Sequence, residues 1–128
     1  MFKGVNKYDF IEYYKFIPYE QYIHKIQEID LLCIPRLNYK VYEIIPALKP
    51  LAAMAYKIPI LVPNFPCYNE MSQEGFYFFE SENSNSLKQS IEKIMKNTDH
   101  SIKTDKNYKL VLDTYNWKTQ CNKITDLM

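Results

Sequence analysis

Glycine is scarce in this chain of 128 residues and occurs only at Gly4 and Gly75. Globular chains ordinarily contain about 7% glycine, and loops that cradle phosphates through their backbone need several glycines close together. The sequence therefore excludes the dinucleotide-binding and P-loop types of phosphate site. Arginine is scarcer still, because Arg36 is the only arginine among 16 basic residues.

An excess of one charge and long apolar runs are also absent. The 16 basic residues nearly balance 15 acidic ones, which leaves a formal charge of +1 without a basic run. We therefore expect no nucleic-acid partner. No apolar run approaches the roughly 20 residues that cross a bilayer, so we expect no transmembrane segment and a cytoplasmic location. The three cysteines lie far apart, which predicts neither a disulfide framework nor a metal site.

Enough apolar material is present for one folded domain over residues 1–128, since 47% of the residues are hydrophobic. Period-2 alternation or short continuous apolar runs predict four strands, at residues 9–16, 31–34, 60–62 and 75–79. Helical spacing of apolar residues, or proline at a helix start, predicts helices after Pro18, from Pro46, over 87–95, over 108–115 and from Trp117. Polar composition predicts loops at 36–45 and 97–107.

Two details concern helix starts. Residues 83–86 carry N-cap chemistry, and Ser86 with Gln89 has the spacing of a capping box. The helix from Pro46 is apolar on most sides, with Leu48 among its apolar positions, so we expect it to be buried. Trp117 is expected to be a packing anchor rather than a stacking platform.

Strands that alternate with helices predict an α/β domain. We expect a partial doubly wound, Rossmann-like domain with a short, largely parallel sheet flanked by helices. Ligands of such sheets bind beyond the carboxyl ends of the strands. The segment after Ile34 is therefore the place for a site, and a helix start near residues 44–47 would present backbone N–H groups to an anion such as a diphosphate.

Several motifs occur in a recognisable order: DLLCIPR at 30–36, EIIPALKPLAAMA at 43–55 and PILV at 59–62, flanked by FIPYE at 16–20, Glu70 with Gly75, and YNW at 115–117. Together they resemble the donor-binding, C-terminal half of a retaining GT-B glycosyltransferase of the family 4 type. The resemblance covers nearly all of the chain. It implies a nucleotide-diphosphate sugar as ligand, with neither a cofactor nor a metal.

The resemblance also implies roles for individual residues. Glu43 matches the glutamate that holds the donor sugar hydroxyls, and the backbone amides at the helix start match the phosphate cradle. These amides belong to Ile44, Ile45 and Ala47. The glutamate that holds the nucleotide ribose falls on Ala52, which cannot accept two hydrogen bonds. The resemblance also places Glu70 near the donor's sugar or phosphates. Two further candidates rest on the residues themselves: Arg36, at the carboxyl end of a strand, as a partner for a phosphate or carboxylate, and Lys49 as a partner for an anion.

The acceptor-binding domain and the first two strands of the family's donor domain would precede residue 1, and no catalytic residue is assigned here. We therefore expect a chain that is not competent alone. Its open strand edges are expected to pair in a homodimer, to pair with a partner supplying the missing strands, or to be covered by a rearranged N-terminal segment. Two other interpretations stay open. One is a degenerate glycosyltransferase-like scaffold that serves as an interaction or assembly module; the other, less favoured, is an unrelated flavodoxin-like signalling domain.

Overall fold

A computed structural model describes residues 8–128. Three strands form one parallel sheet in the order β1-β2-β3, with bounds Leu32–Cys33, Ile60–Pro63 and Tyr77–Phe79. The register pairs Leu32 with Ile60, and Leu61 with Tyr77. The predicted α/β class and the parallel sheet are confirmed, and so are the three strands predicted from continuous apolar runs.

Seven helices flank the sheet in the described residues: α1 Tyr19–Glu28, α2 Lys40–Ile44, α3 Lys49–Ala55, α4 Pro66–Ser72, α5 Ser84–Lys96, α6 Ser101–Asp113 and α7 Trp117–Asp126. The core has one part on each face of the sheet. Successive side chains of β2 alternate between faces, so Ile60 and Val62 pack with Met54 and Tyr68, whereas Leu61 packs with residues that include Ile94 of α5. All four β2 side chains are fully buried, which explains the continuous apolar run.

The strand predicted at residues 9–16 is wrong, because that segment has no strand structure. A strand needs a neighbour to take up its backbone hydrogen bonds, and within residues 8–128 the sheet ends at β1. The segment is instead largely exposed, with Phe10 and Phe16 open to solvent to 83% and 85%. The alternation reflects tyrosine and phenylalanine content rather than a buried face.

Other boundaries also differ from the predictions. Helix α2 lies within the expected loop at 36–45, and α6 begins within the expected loop at 97–107. The buried helix begins at Lys49 instead of Pro46, with Pro50 in its first turn, and Leu48 is 80% exposed. Because proline lacks an N–H group, it suits the first turn of a helix at Pro46 and at Pro50 equally well. The sequence alone therefore does not decide where the helix begins.

The cap of α5 is Asn83, whose side chain accepts a hydrogen bond of 3.0 Å from the Ser86 amide. The predicted cap chemistry at 83–86 is thus confirmed, but Ser86 is not the cap. Its Oγ accepts a hydrogen bond of 2.9 Å from the Glu80 amide instead.

None of the helices among residues 8–128 has the length and apolar character that a membrane-spanning helix needs.

Candidate functional site

The segment between β1 and β2 holds most of the residues that the sequence marks as functional. It leaves the carboxyl end of β1 at Ile34, forms α2 and α3, and returns to β2 at Ile60. Because all three strands are parallel, their carboxyl ends meet at one edge of the sheet. Ligands of open α/β sheets bind at this edge, so the fold places α2 and the start of α3 where a ligand is expected.

Arg36 follows β1 and makes internal contacts. Its Nη1 donates a hydrogen bond of 3.0 Å to the Ile45 carbonyl, and its guanidinium carbon lies 4.7 Å from the centre of the Tyr42 ring. The Arg36 carbonyl in turn accepts a hydrogen bond of 2.9 Å from the hydroxyl of Ser81, which lies beyond β3. The only arginine of the chain is therefore attached to the α2 segment.

Glu43 lies in α2 and is half-buried. The ion pairs found among residues 8–128 do not include it. Lys49 opens α3 and is exposed, and Glu70 lies in α4 and is also exposed.

The backbone amides that match the phosphate cradle are largely engaged within the protein. Ile45 donates a hydrogen bond of 2.9 Å to the Val41 carbonyl, and Ile44 is the last residue of the short helix α2. The Ala47 amide donates to the hydroxyl of Tyr68 at 3.3 Å, a long hydrogen bond. Tyr68 is fully buried, and this burial raises the pKa of its hydroxyl. A phosphate would have to compete with these internal partners.

Two adjoining cavities surround the start of α3. The smaller has a volume of about 420 Å³ and is lined by residues that include Ile44, Ala47 and Glu70. The larger has a volume of about 740 Å³, and its lining includes Lys49 and Ala52. The two cavities share three lining residues, which are Leu48, Leu51 and Tyr115. Five of the eight predicted positions thus surround one shared wall, whereas Arg36, Glu43 and Ile45 line neither cavity.

Aromatic residues from the starts of α1 and α7 close the larger cavity, and sequence reasoning missed them. They are Tyr19, Tyr22 and Trp117, joined by Tyr115 just before α7. Trp117 is 86% exposed, so the prediction that it anchors the core is wrong. Asn116 caps α7 by accepting a hydrogen bond of 2.9 Å from Thr119, which fixes the place where the indole emerges. The YNW motif at 115–117 is the sequence feature that could have pointed to Tyr115 and Trp117 as cavity residues.

The Tyr22 hydroxyl is buried and has no hydrogen-bond partner among the described residues. Burial, and then the neighbouring Tyr19, raise its pKa. Leaving a buried hydroxyl unpaired costs about 1–3 kcal/mol, so a water molecule or a polar ligand group near Tyr22 would be stabilising. Chemically, the larger cavity offers aromatic faces, one cation at Lys49 and no carboxylate at Ala52.

Two further cavities, of about 450 and 650 Å³, lie elsewhere, and Glu70 is the only predicted site residue that lines either of them. No group of three or more His, Cys, Asp or Glu side chains within residues 8–128 is arranged to hold a metal ion. The cavities at α3 are therefore the ones that carry the predicted chemistry.

With this arrangement in view, comparison with known families is decisive. The family model for glycosyl transferases group 1 matches residues 5–111. The chain belongs to this family. The match includes β1 to β3 and both helices of the segment between β1 and β2, whereas Tyr115 and α7, which also line the larger cavity, lie beyond it. None of the curated proteins matches the chain significantly.

Proposed function

We propose that this group 1 glycosyltransferase chain is the nucleotide-sugar donor-binding portion of a retaining, GT-B, family 4 type enzyme. One observation carries the proposal: the two adjoining cavities bring five predicted donor positions around the start of α3. The family match supports the class of ligand, and the position at the carboxyl edge of a parallel sheet supports a binding site there.

The chemistry of the lining supports a division of the ligand between the cavities. The aromatic wall of Tyr19, Tyr22 and Trp117 suits a nucleobase, because bases stack on aromatic faces. Lys49 suits the diphosphate, as a point charge. Glu70, in the smaller cavity, and Glu43, on α2, offer carboxylate oxygens to sugar hydroxyls. Arg36 is not among the residues that we propose to contact the donor.

Ala52 weakens the proposed site at the ribose. Alanine has no acceptor, whereas a carboxylate that accepts ribose hydroxyls contributes about 1.5–3 kcal/mol, as hydrogen bonds to charged groups do. We therefore expect affinity about 10-fold to 150-fold below that of a comparable site with glutamate.

All residues that the resemblance carries over are binding residues, so we propose that sugar transfer needs groups from a partner polypeptide. A cytoplasmic location stays a prediction.

The test is calorimetric titration of the native chain with UDP-, GDP- and ADP-sugars, repeated with Glu43→Gln and Lys49→Met. We expect saturable binding of one donor by the native chain and a loss of about 10-fold in each variant, as for removal of one charged hydrogen-bond partner. Glu28→Gln and Lys96→Met are matched controls, because they remove one charge from exposed positions on α1 and α5. Equal losses in variants and controls would contradict the assignment of the site.

A second candidate function, a non-catalytic interaction or assembly module, is favoured by a different observation. Large apolar side chains are exposed on and near the same wall: Tyr19 to 74%, Leu48 to 80% and Trp117 to 86%. Contiguous apolar surface of this kind marks protein interaction sites. We propose self-association as the form it takes. A molar mass that rises with concentration and falls back in Trp117→Ser would support this function, whereas a concentration-independent monomer would exclude it.

A further inference from the structure

Arg36 connects three separate parts of the chain. Its backbone carbonyl is held by Ser81 beyond β3 at 2.9 Å, and its side chain contacts Tyr42 in α2 and the carbonyl of Ile45 just after α2. The hydrogen bond of 3.0 Å to Ile45 and the cation–π distance of 4.7 Å to the Tyr42 ring are both made by the guanidinium group. One side chain thus fixes both the body and the end of α2 to the sheet.

Helix α2 needs such support. It has five residues, and its N-cap residue Tyr39 forms no side-chain capping bond. Isolated helices shorter than about 12 residues are marginal in water. A second side-chain hydrogen bond to α2 comes from a weak thiol donor, since Cys67 Sγ lies 3.4 Å from the Tyr42 carbonyl, and Tyr42 also packs against the core. Arg36 supplies the planar, charged contact in this set.

We propose that Arg36 is a positioning residue that holds α2, and through it Glu43, in place for the donor sugar. This inference rests on the proposed function. Arginine makes both contacts at once, because one guanidinium nitrogen donates to Ile45 while the guanidinium carbon lies over the Tyr42 ring, and the single ammonium group of lysine does not reproduce this arrangement. Its place at the carboxyl end of a strand predicted a phosphate or carboxylate partner for this side chain, and the structure instead directs it to Ile45 and Tyr42.

The ligand-free test is amide hydrogen exchange in the native chain, Arg36→Lys and Tyr42→Leu. If the guanidinium holds α2, exchange of the Ile44 and Ile45 amides accelerates about tenfold in both variants, in line with one charged hydrogen bond and a stacked ring. Amides of α5 keep their native rates and serve as an internal control for global stability. Native exchange rates for α2 in Arg36→Lys would overturn the proposal.

The binding test is a double-mutant cycle measured with the nucleotide sugar that binds the native chain. A positioning role predicts that Arg36→Lys weakens binding about tenfold in the native background and less than threefold in Glu43→Gln, because the benefit passes through Glu43. A positioning role also predicts that the salt dependence of donor affinity in Arg36→Met equals that of the native chain. Equal losses in both backgrounds, together with a salt dependence that falls in Arg36→Met, would show a direct phosphate contact and overturn the proposal.

The role of Arg36 and the proposed function can be refuted by different results. Additive losses in a chain that binds donor refute the role of Arg36 and leave the proposed function standing. Absence of donor binding by the native chain refutes both the proposed function and a donor-positioning role, even if faster exchange in Arg36→Lys shows that the side chain holds α2. Lys96→Met removes one positive charge from α5 and is the matched charge control for Arg36→Met, whereas Arg36→Lys and Tyr42→Leu leave the net charge unchanged.

Discussion

Gly75 is a position where the fold has no room for a side chain. A Cβ built there would lie 2.6 Å from Cγ of Asn107 and closer still to Oδ1 of Asn107 and Oγ of Ser72. Asn107 is fully buried in α6, accepts a hydrogen bond of 2.6 Å from Ser72 and donates one of 2.9 Å to the Gly75 carbonyl. The glycine is required by the close approach of α6.

Gly75→Ala therefore forces either strain or the displacement of Asn107. Overpacking a well-packed site costs about 1–3 kcal/mol, and each buried partner left without its hydrogen bond costs about 1–3 kcal/mol. Because strain and displacement are alternatives, the less costly one sets the loss, and we expect the free energy of unfolding to fall by about 1–3 kcal/mol. This is a large part of the roughly 5–15 kcal/mol that stabilises an ordinary domain.

Urea unfolding measures this loss, with Gln73→Ala as a control at an exposed position in the same turn. Asn107→Ala removes both hydrogen bonds and also opens space for a methyl group at residue 75. The double variant should therefore be destabilised by at least about 1 kcal/mol less than the sum of the single variants. A loss below about 0.5 kcal/mol in Gly75→Ala, or strict additivity in the double variant, would refute the steric argument.

Three further predictions follow from the structure. Asn83→Ala removes the cap of α5 and should cost about 1 kcal/mol in urea unfolding, whereas the exposed Asn85→Ala should cost far less. Ala52→Glu should tighten nucleotide-sugar binding about 10-fold or more by calorimetry, because it supplies a ribose acceptor; unchanged affinity would refute that role. Burial raises the pKa of Tyr22, Tyr68 and Tyr115 above 10.0, so their contribution to stability is complete below that pH and lost above it; Tyr22→Phe should reduce the alkaline loss of stability.

Much of the sheet could be predicted because its signals are local. β2 is buried on both faces, so its sequence reads as an uninterrupted apolar run, and the amphipathic pattern of α5 marks one buried face with residues such as Ile94. The alternation at residues 9–16 led to a wrong strand prediction, because an alternating pattern carries no information on whether a neighbouring strand exists. Helix α2 was missed because five residues are too few for a 3.6-residue period to show.

The candidate site could be predicted only in part. Ile44, Ala47, Lys49 and Ala52 lie near one another in sequence, and their grouping around α3 follows from one loop and one helix. The aromatic wall comes from α1 and α7, about a hundred residues apart, and depends on tertiary packing. The orientation of Arg36 toward α2 has the same origin, since it depends on where Tyr42 and Ile45 lie in the folded chain.

The most direct test of a donor site at α3 is an amide NMR titration of the native chain with UDP-, GDP- and ADP-sugars, with assignments for residues 44–52 and 115–117. Our account predicts that one nucleotide sugar gives saturable shifts at Ala47, Lys49 and Ala52 and at the Trp117 indole, with little change in α5. Saturable shifts confined to other parts of the chain, or none at millimolar ligand, would contradict it.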